Sequence, residues 1–225
     1  MKKLLITSLL IVFSFLFSQS LGFRGMASEN SALKMFLNPS LLGYEPSGKF
    51  IVFNDMDGDE QTGQGIGLQI GTLGFSYFKT DEMEYYNVST GSEVIPGYYT
   101  GSSIRWYSGS RLDPEHDMSL TIRPVKNFSL AANVQNIWEN NNGMISTTAG
   151  LSLRPFGSNK LTLEGDLLFV RDKIKDSFYT AGVATELFEG LNLSAGYTAQ
   201  MNNDDFDPVY EFGLSVSLNN AVMGT

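Results

Sequence analysis

Residues 128–138 alternate between two faces. Phe128, Leu130, Ala132, Val134 and Trp138 fall on one, and Ser129, Ala131, Asn133 and Gln135 on the other. Successive side chains of an extended chain point to opposite sides, so this pattern predicts a β-strand with one apolar face. Three further stretches pass the same test. Leu161, Leu163, Gly165, Leu167 and Phe169 oppose Thr162, Glu164 and Asp166. Leu191, Leu193, Ala195, Tyr197, Ala199 and Met201 oppose Asn192, Ser194, Gly196, Thr198 and Gln200. Tyr210, Phe212, Leu214, Val216 and Leu218 oppose Glu211, Gly213, Ser215 and Ser217. More strands are expected at residues 49–54, 65–71, 73–79, 98–108, 118–123, 144–154 and 178–188. One more, expected within residues 81–96, brings the total to about twelve, an even number as in bacterial single-chain barrels.

Alternation alone does not separate a soluble sandwich from a membrane barrel, because both hide apolar residues on one face. Length and lining do. These strands run to roughly 10 residues, the length of a tilted spanning strand, whereas globular strands cluster near about 5–6. Their second face is rich in Gly, Ser, Thr and Asn rather than Lys and Glu, as a crowded polar lumen requires. The fold class expected is all-β, an antiparallel transmembrane β-barrel.

The connections come in two styles. Short turns hold residues 124–127, 155–160 and 189–190. Longer polar connections are expected at 80–96, 108–117, 139–143 and 202–208, and they carry Asp81, Glu82, Glu84, Glu93, Asp113, Glu115, Asp117, Asp204, Asp205 and Asp207. Barrels place short turns on the periplasmic side and longer loops outside. Trp106, Trp138, Phe156 and Phe188 sit near strand ends, where interfacial aromatics belong, although aromatics also favour strands for other reasons.

The chain begins with the parts of a secretory signal. Lys2 and Lys3 precede an apolar run over residues 4–17, and Ser18-Gln19-Ser20 supplies small residues for cleavage. A retained N-terminal anchor is the alternative, but the run is short for a spanning helix. Residues 1–20 are thus read as a signal peptide, 21–44 as a plug-like segment, 45–218 as the barrel, and 219–225 as a tail or a truncated end. The chain has no Cys, so disulfides and thiolate metal sites are excluded. A net charge of −9 argues against nucleic acid as a partner and suits a cation-bridged, anionic lipid surface.

Few residues suggest chemistry. Asp55, Asp57 and Asp59 could hold Ca²⁺, but Gly58 stands at the fourth loop position rather than the sixth and Ile66 at the twelfth, so a plain acidic hairpin competes. The single histidine, His116, has no Gly-x-Ser-x-Gly elbow to serve, so no enzyme is expected. By parity Glu164, Asp166, Glu186, Glu211, Arg105 and Arg123 line the lumen. They either select solute or form ion pairs that fill a narrow barrel. Buried carboxylates need partners, so pairing with Arg105 and Arg123 is expected in either case. No cofactor is expected.

Residues 23–44 differ in texture. Ser28 or Asn30 is placed to cap a short helix running to Leu37, which Asn38-Pro39 ends. The run Ser31-Ala32-Leu33, then Asn38-Pro39-Ser40-Leu41-Leu42-Gly43, resembles the entrance segment of a bacterial barrel group. That group holds the long-chain fatty-acid transporters and the PorV-type barrels of the type IX secretion system. The hairpins at 150–169 and 190–218 are similar to a barrel module found with signal peptide peptidase domains. The resemblance implies a lumen hatch with Asn38 and Pro39 as its motif. Gly213, Val216 and Leu218 resemble a final-strand signal for the outer-membrane assembly machinery.

The function expected is passage or binding of a small hydrophobic solute across the cell outer membrane, in contact with its lipid and lipopolysaccharide. The alternatives are a PorV-like barrel anchoring a secretion or peptidase partner, and a purely structural barrel.

Overall fold

The computed structural model describes residues 26–27, 34–44, 46–57, 60–80, 83–108, 113–140, 145–158, 160–171, 177–188, 191–201 and 208–216. The signal peptide expected at 1–20, the cap expected at Ser28 or Asn30, Asp59 and the tail expected at 219–225 lie outside these. Two helical turns, α1 (Lys34–Leu37) and α2 (Ser40–Tyr44), precede twelve strands. The strands are β1 (Ser47–Asp57), β2 (Glu60–Gly71), β3 (Leu73–Lys79), β4 (Glu84–Ile95), β5 (Tyr98–Tyr107) and β6 (Glu115–Val125), then β7 (Phe128–Gln135), β8 (Ser146–Leu153), β9 (Thr162–Val170), β10 (Phe178–Phe188), β11 (Leu191–Gln200) and β12 (Val209–Val216).

They form one sheet in sequence order, each strand antiparallel to the next. No β1–β12 ladder is present among the described residues. The two edges run antiparallel to each other, so pairing them is what closes the wall; lipid demands that closure, since a bare edge leaves backbone groups unsatisfied.

This topology puts the C-terminal ends of β1, β3, β5, β7, β9 and β11 at one end, the long-loop end. The C-terminal ends of β2, β4, β6, β8 and β10 lie at the other, the short-turn end, with the turns at Thr72 and residues 96–97 and 126–127. Glycine makes the tightest of the second set possible. Gly71 has φ +61°, the left-handed conformation that a two-residue hairpin needs at its first central position. Gly97, at φ +82°, follows Pro96 in the arrangement of a type II turn and donates its N–H to Glu93 Oε1 at 3.0 Å.

The hydrophobic pattern is inside out. Leu68, Phe75, Val88, Met118, Leu120, Leu130, Leu151, Leu163, Leu167, Val183, Leu193 and Phe212 are exposed on the outer face. The inner face is buried and polar, with Ser76, Asn87, Ser89, Ser103, Ser119, Thr121, Ser129, Asn133 and Ser152. Water does not tolerate so continuous an apolar belt; lipid requires it. Aromatic rings edge the belt. Towards the long-loop end Tyr77, Tyr86 and Trp106 stand in cross-strand register, and Tyr197 packs 6.1 Å from Tyr179 and 5.5 Å from Tyr210. Phe156 and Phe188 are exposed at the short-turn end.

Three sequence expectations need correction. The further strand expected within 81–96 is β4, so Glu84 and Glu93, counted above with the polar connection 80–96, are wall residues rather than loop residues. Glu115 and Asp117 belong to β6, and Asp117 faces inward. The strand expected to reach Trp138 ends at Gln135. Asn136 and Glu139 turn the chain at φ +53° and +52°, and Asn136 N–H is drawn to Asp117 Oδ1 at 3.0 Å. Trp138 still reaches the rim, edge-on to His116 at 6.2 Å.

Candidate functional site

The inner face closes on the N-terminal segment. Asn38, just after α1, is 1% exposed and Leu42 is fully buried, positions that isolated helical turns of this length could never hold without a surrounding wall. Side chains supply the bonds. Asn38 Nδ2 donates to Met26 O at 2.7 Å and to Thr121 Oγ1 at 2.9 Å, while its Oδ1 accepts from Ser40 Oγ at 2.5 Å. Ser40 N–H donates to Ser119 Oγ at 2.8 Å, and Ser40 Oγ lies 2.7 Å from Thr121 Oγ1. Asn133 Nδ2 donates to Leu37 O at 3.0 Å, and Ser129 Oγ donates to Ala27 O at 2.9 Å. The small inward hydroxyls of β6 and β7 thus take over the backbone groups that a turn this short cannot satisfy itself.

Glycine provides the room. A Cβ on Gly101 would strike the backbone of Pro39 and Ser40, and one on Gly91 would strike Pro39 O and lie 2.7 Å from Gly43 N. Across the lumen, a Cβ on Gly150 would lie 2.7 Å from Met26 Cβ. These three inward glycines, on β4, β5 and β8, let backbone approach backbone.

Charge is distributed in three places. Near the long-loop end Arg105 binds Asp117 at 2.9 Å and Glu115 at 3.4 Å, and its guanidinium stands 5.0 Å from the Tyr85 ring. Tyr107 Oη donates to Glu115 at 2.8 Å and Ser103 Oγ to Asp117 at 3.2 Å. Near the short-turn end Arg123 lies over the Tyr44 ring at 4.4 Å, and Tyr44 meets Tyr99 edge to face at 5.3 Å. The third group sits between β8 and β9. Asp166 accepts Met26 N–H on both carboxylate oxygens, at 2.9 and 3.2 Å. Arg154 lies just past the end of β8. Burial pulls its guanidinium down to about 10, opposed by the Glu164 carboxylate, so it remains a cation at neutral pH.

Of the residues expected to line the lumen, Glu164 and Asp166 are buried on the inner face, Arg105 and Arg123 point inward, and Glu186 is half-buried on β10. Glu211 pairs with Gly196 in the β12–β11 register, and its side chain lies outside the description. The expected pairing needs correction. Arg105 is bound by Glu115 and Asp117, not by the β9 carboxylates, because it stands at the other end of the lumen. The cation beside Glu164 is Arg154, which sequence reasoning placed at a strand end without asking which way it points. Parity with Ser152 would have turned it inward. The Ca²⁺ candidate falls on Asp59 and on the side chains of Asp55 and Asp57, outside the described residues. Among the described residues no three His, Asp or Glu side chains converge on a metal position.

A second texture lies on the long-loop side of the segment. Phe36 and Leu42 are buried together, with Leu37, Phe78 and Tyr85 packed against them. The segment therefore presents polar bonds to β6–β9 and an apolar surface towards β3 and β4.

No protein-family model matches the sequence, and no curated protein is significantly similar to it. Solved structures are. Two mutants of the porin of Rhodopseudomonas blastica superpose with a TM-score of 0.50 at 13% identity, each covering 86% of this chain and 66% of its own. A third mutant reaches 0.49 at 12%, over 69% of this chain. The chain spans 54% to 63% of the length of other such porin structures. At such identity the likeness bears on architecture alone: the chain has the fold of a porin-like transmembrane β-barrel.

Proposed function

We propose that the protein resides in the cell outer membrane, delivered by the signal at residues 1–20, and binds or passes a small hydrophobic solute through a lumen gated by residues 21–44. The observation that carries this reading is the seating of Asn38-Pro39-Ser40 inside the wall, bonded to Ser119 and Thr121. A barrel that merely filled its interior would do so with its own strand side chains. Here a separate segment does it, held by polar bonds on one side and by the Phe36, Phe78 and Tyr85 surface on the other. Those rings offer a solute an apolar resting place on the long-loop side. Arg105, Arg123, Glu164, Asp166 and Glu186 act mainly as lumen structure, and outer-membrane lipid and lipopolysaccharide surround the belt.

The second reading is a PorV-like barrel that anchors a secretion or peptidase partner. The segment's burial supports it equally, since a stoppered barrel suits an anchor. Uptake separates the two. Proteoliposomes carrying the full chain should take up small apolar solutes faster than empty vesicles do. No uptake, together with a stable partner retained through purification, would decide for the anchor.

A further inference from the structure

The apolar belt is interrupted on β4 and β5. Tyr86 and Trp106 bound it at the long-loop end, and Val94 and Tyr98 at the other. Between them the outward positions are Val88, Thr90 and Ser92 on β4, then Ile104, Ser102 and Thr100 on β5. Register gathers the four hydroxyls into one patch, because Thr90 faces Ser102 and Ser92 faces Thr100. All four side chains are exposed, and among the described residues none of their hydroxyls is hydrogen-bonded. Thr185, an outward hydroxyl on β10, donates instead to Lys160 O at 2.7 Å. Longer apolar side chains flank the patch. Leu73 stands beside Thr90, Met118 beside Ser102 and Leu120 beside Thr100. Directly behind it Gly91 faces Gly101, against the Pro39–Ser40 backbone, so the seated segment braces this part of the wall.

Lipid tails offer a hydroxyl nothing to bond, and an unbonded hydroxyl in hydrocarbon is costly. Contacts between proteins inside membranes use such residues, because short side chains let backbones approach and hydroxyls bond across the contact. We propose that a second copy of this chain covers the patch, forming a two-fold dimer within the membrane. A hydroxyl both donates and accepts, so the patch is complementary to itself, and symmetry supplies matching groups on the partner. These outward positions carry no charge, so two chains of net charge −9 meet there without like charges in contact. The wall curves away on either side of the patch. A two-fold axis along the membrane normal then sets Leu73 of one copy towards Met118 and Leu120 of the other, filling the wedge that opens beside the hydroxyls. The wall braced from inside presents this surface ready-formed, which lowers the cost of docking. The inference holds whether the lumen passes a solute or stays stoppered.

The chain has no cysteine, so one introduced thiol per copy reports the contact. In outer-membrane fractions holding the full chain, oxidation of Thr90→Cys or Ser102→Cys should give a covalent homodimer as a major species. Leu193→Cys, outward on β11, should give only a trace. Sedimentation equilibrium of the unaltered protein in density-matched micelles should return twice the chain mass. Thr90→Leu combined with Ser102→Leu suits lipid and keeps the wall, so its gel mobility should still shift on boiling. Its dimer dissociation constant should rise on the order of tenfold or more. If that variant does not fold, oxidation of the single-cysteine chains decides alone. A monomeric or trimeric mass would overturn the proposal. So would covalent dimer from Thr90→Cys and Ser102→Cys no more abundant than from Leu193→Cys, or a crosslink to a different protein in place of the homodimer.

Discussion

Deleting residues 27–38 should raise the conductance of the reconstituted protein several-fold, and Gly101→Leu should do nearly the same without removing any chain. The deletion takes away Asn38, which ties Met26 O to Thr121, and the carbonyls of Ala27 and Leu37 that Ser129 and Asn133 hold. Gly101→Leu acts from the wall. Its side chain would occupy the space of the Pro39–Ser40 backbone, which cannot shift without breaking the Ser40–Ser119 bond. Overpacking of this kind costs about 1–3 kcal/mol even in yielding cores, and an unanchored segment has an easier way out than the wall does. Single-channel recording reads both variants. Conductance unchanged in both would mean that the segment is not what narrows the lumen.

Arg105→Ala should destabilise the protein strongly. Asp117 is 2% exposed, and Arg105 is its cation, at 2.9 Å. Removing one partner of a buried pair leaves the other charge uncompensated, at a cost of about 3–5 kcal/mol. Adding Asp117→Asn should recover much of the loss. The amide oxygen can still accept from Asn136 N–H, the amide NH2 can donate to Ser103 Oγ in place of the carboxylate oxygen that accepted from it, and the buried charge at position 117 is gone. Urea unfolding in lipid vesicles should therefore place the double variant between Arg105→Ala and the unaltered protein. If Arg105→Ala unfolds at the same midpoint as the unaltered protein, the pair is solvated and does not brace the long-loop end.

The strands were legible wherever lipid imposes a pattern. Leu163, Leu167, Leu193 and Phe212 face the bilayer, and their period of two carried β9, β11 and β12 with little error at the ends. β4 was harder to see. Its outer face mixes Tyr86 and Val88 with Thr90 and Ser92, and its inner face is Asn87, Ser89 and Gly91, a composition shared with loops. Only the requirement for an even strand number pointed to residues 81–96. The site was legible in part. Asn38-Pro39 marked the break after α1, but α2 was not foreseen, because a single turn ending in Gly43-Tyr44 carries no helical period. The polar seat was hidden for a different reason. Ser119, Thr121 and Asn133 look like ordinary lumen residues, and their partners lie some 80 to 100 positions away, so that only the fold brings them together. Asp117 was misread because acidic residues near a connection suggest a loop, whereas one residue of parity turns this one towards Arg105.

In lipid these strands should form a closed wall around their own N-terminal segment. Closure is tested most directly by running the protein from outer-membrane fractions, in mild detergent, on a gel with and without boiling. A closed barrel resists unfolding by the gel detergent and should migrate as a compact species until boiled. A protein recovered from the periplasm with one mobility before and after boiling would contradict a closed wall in lipid.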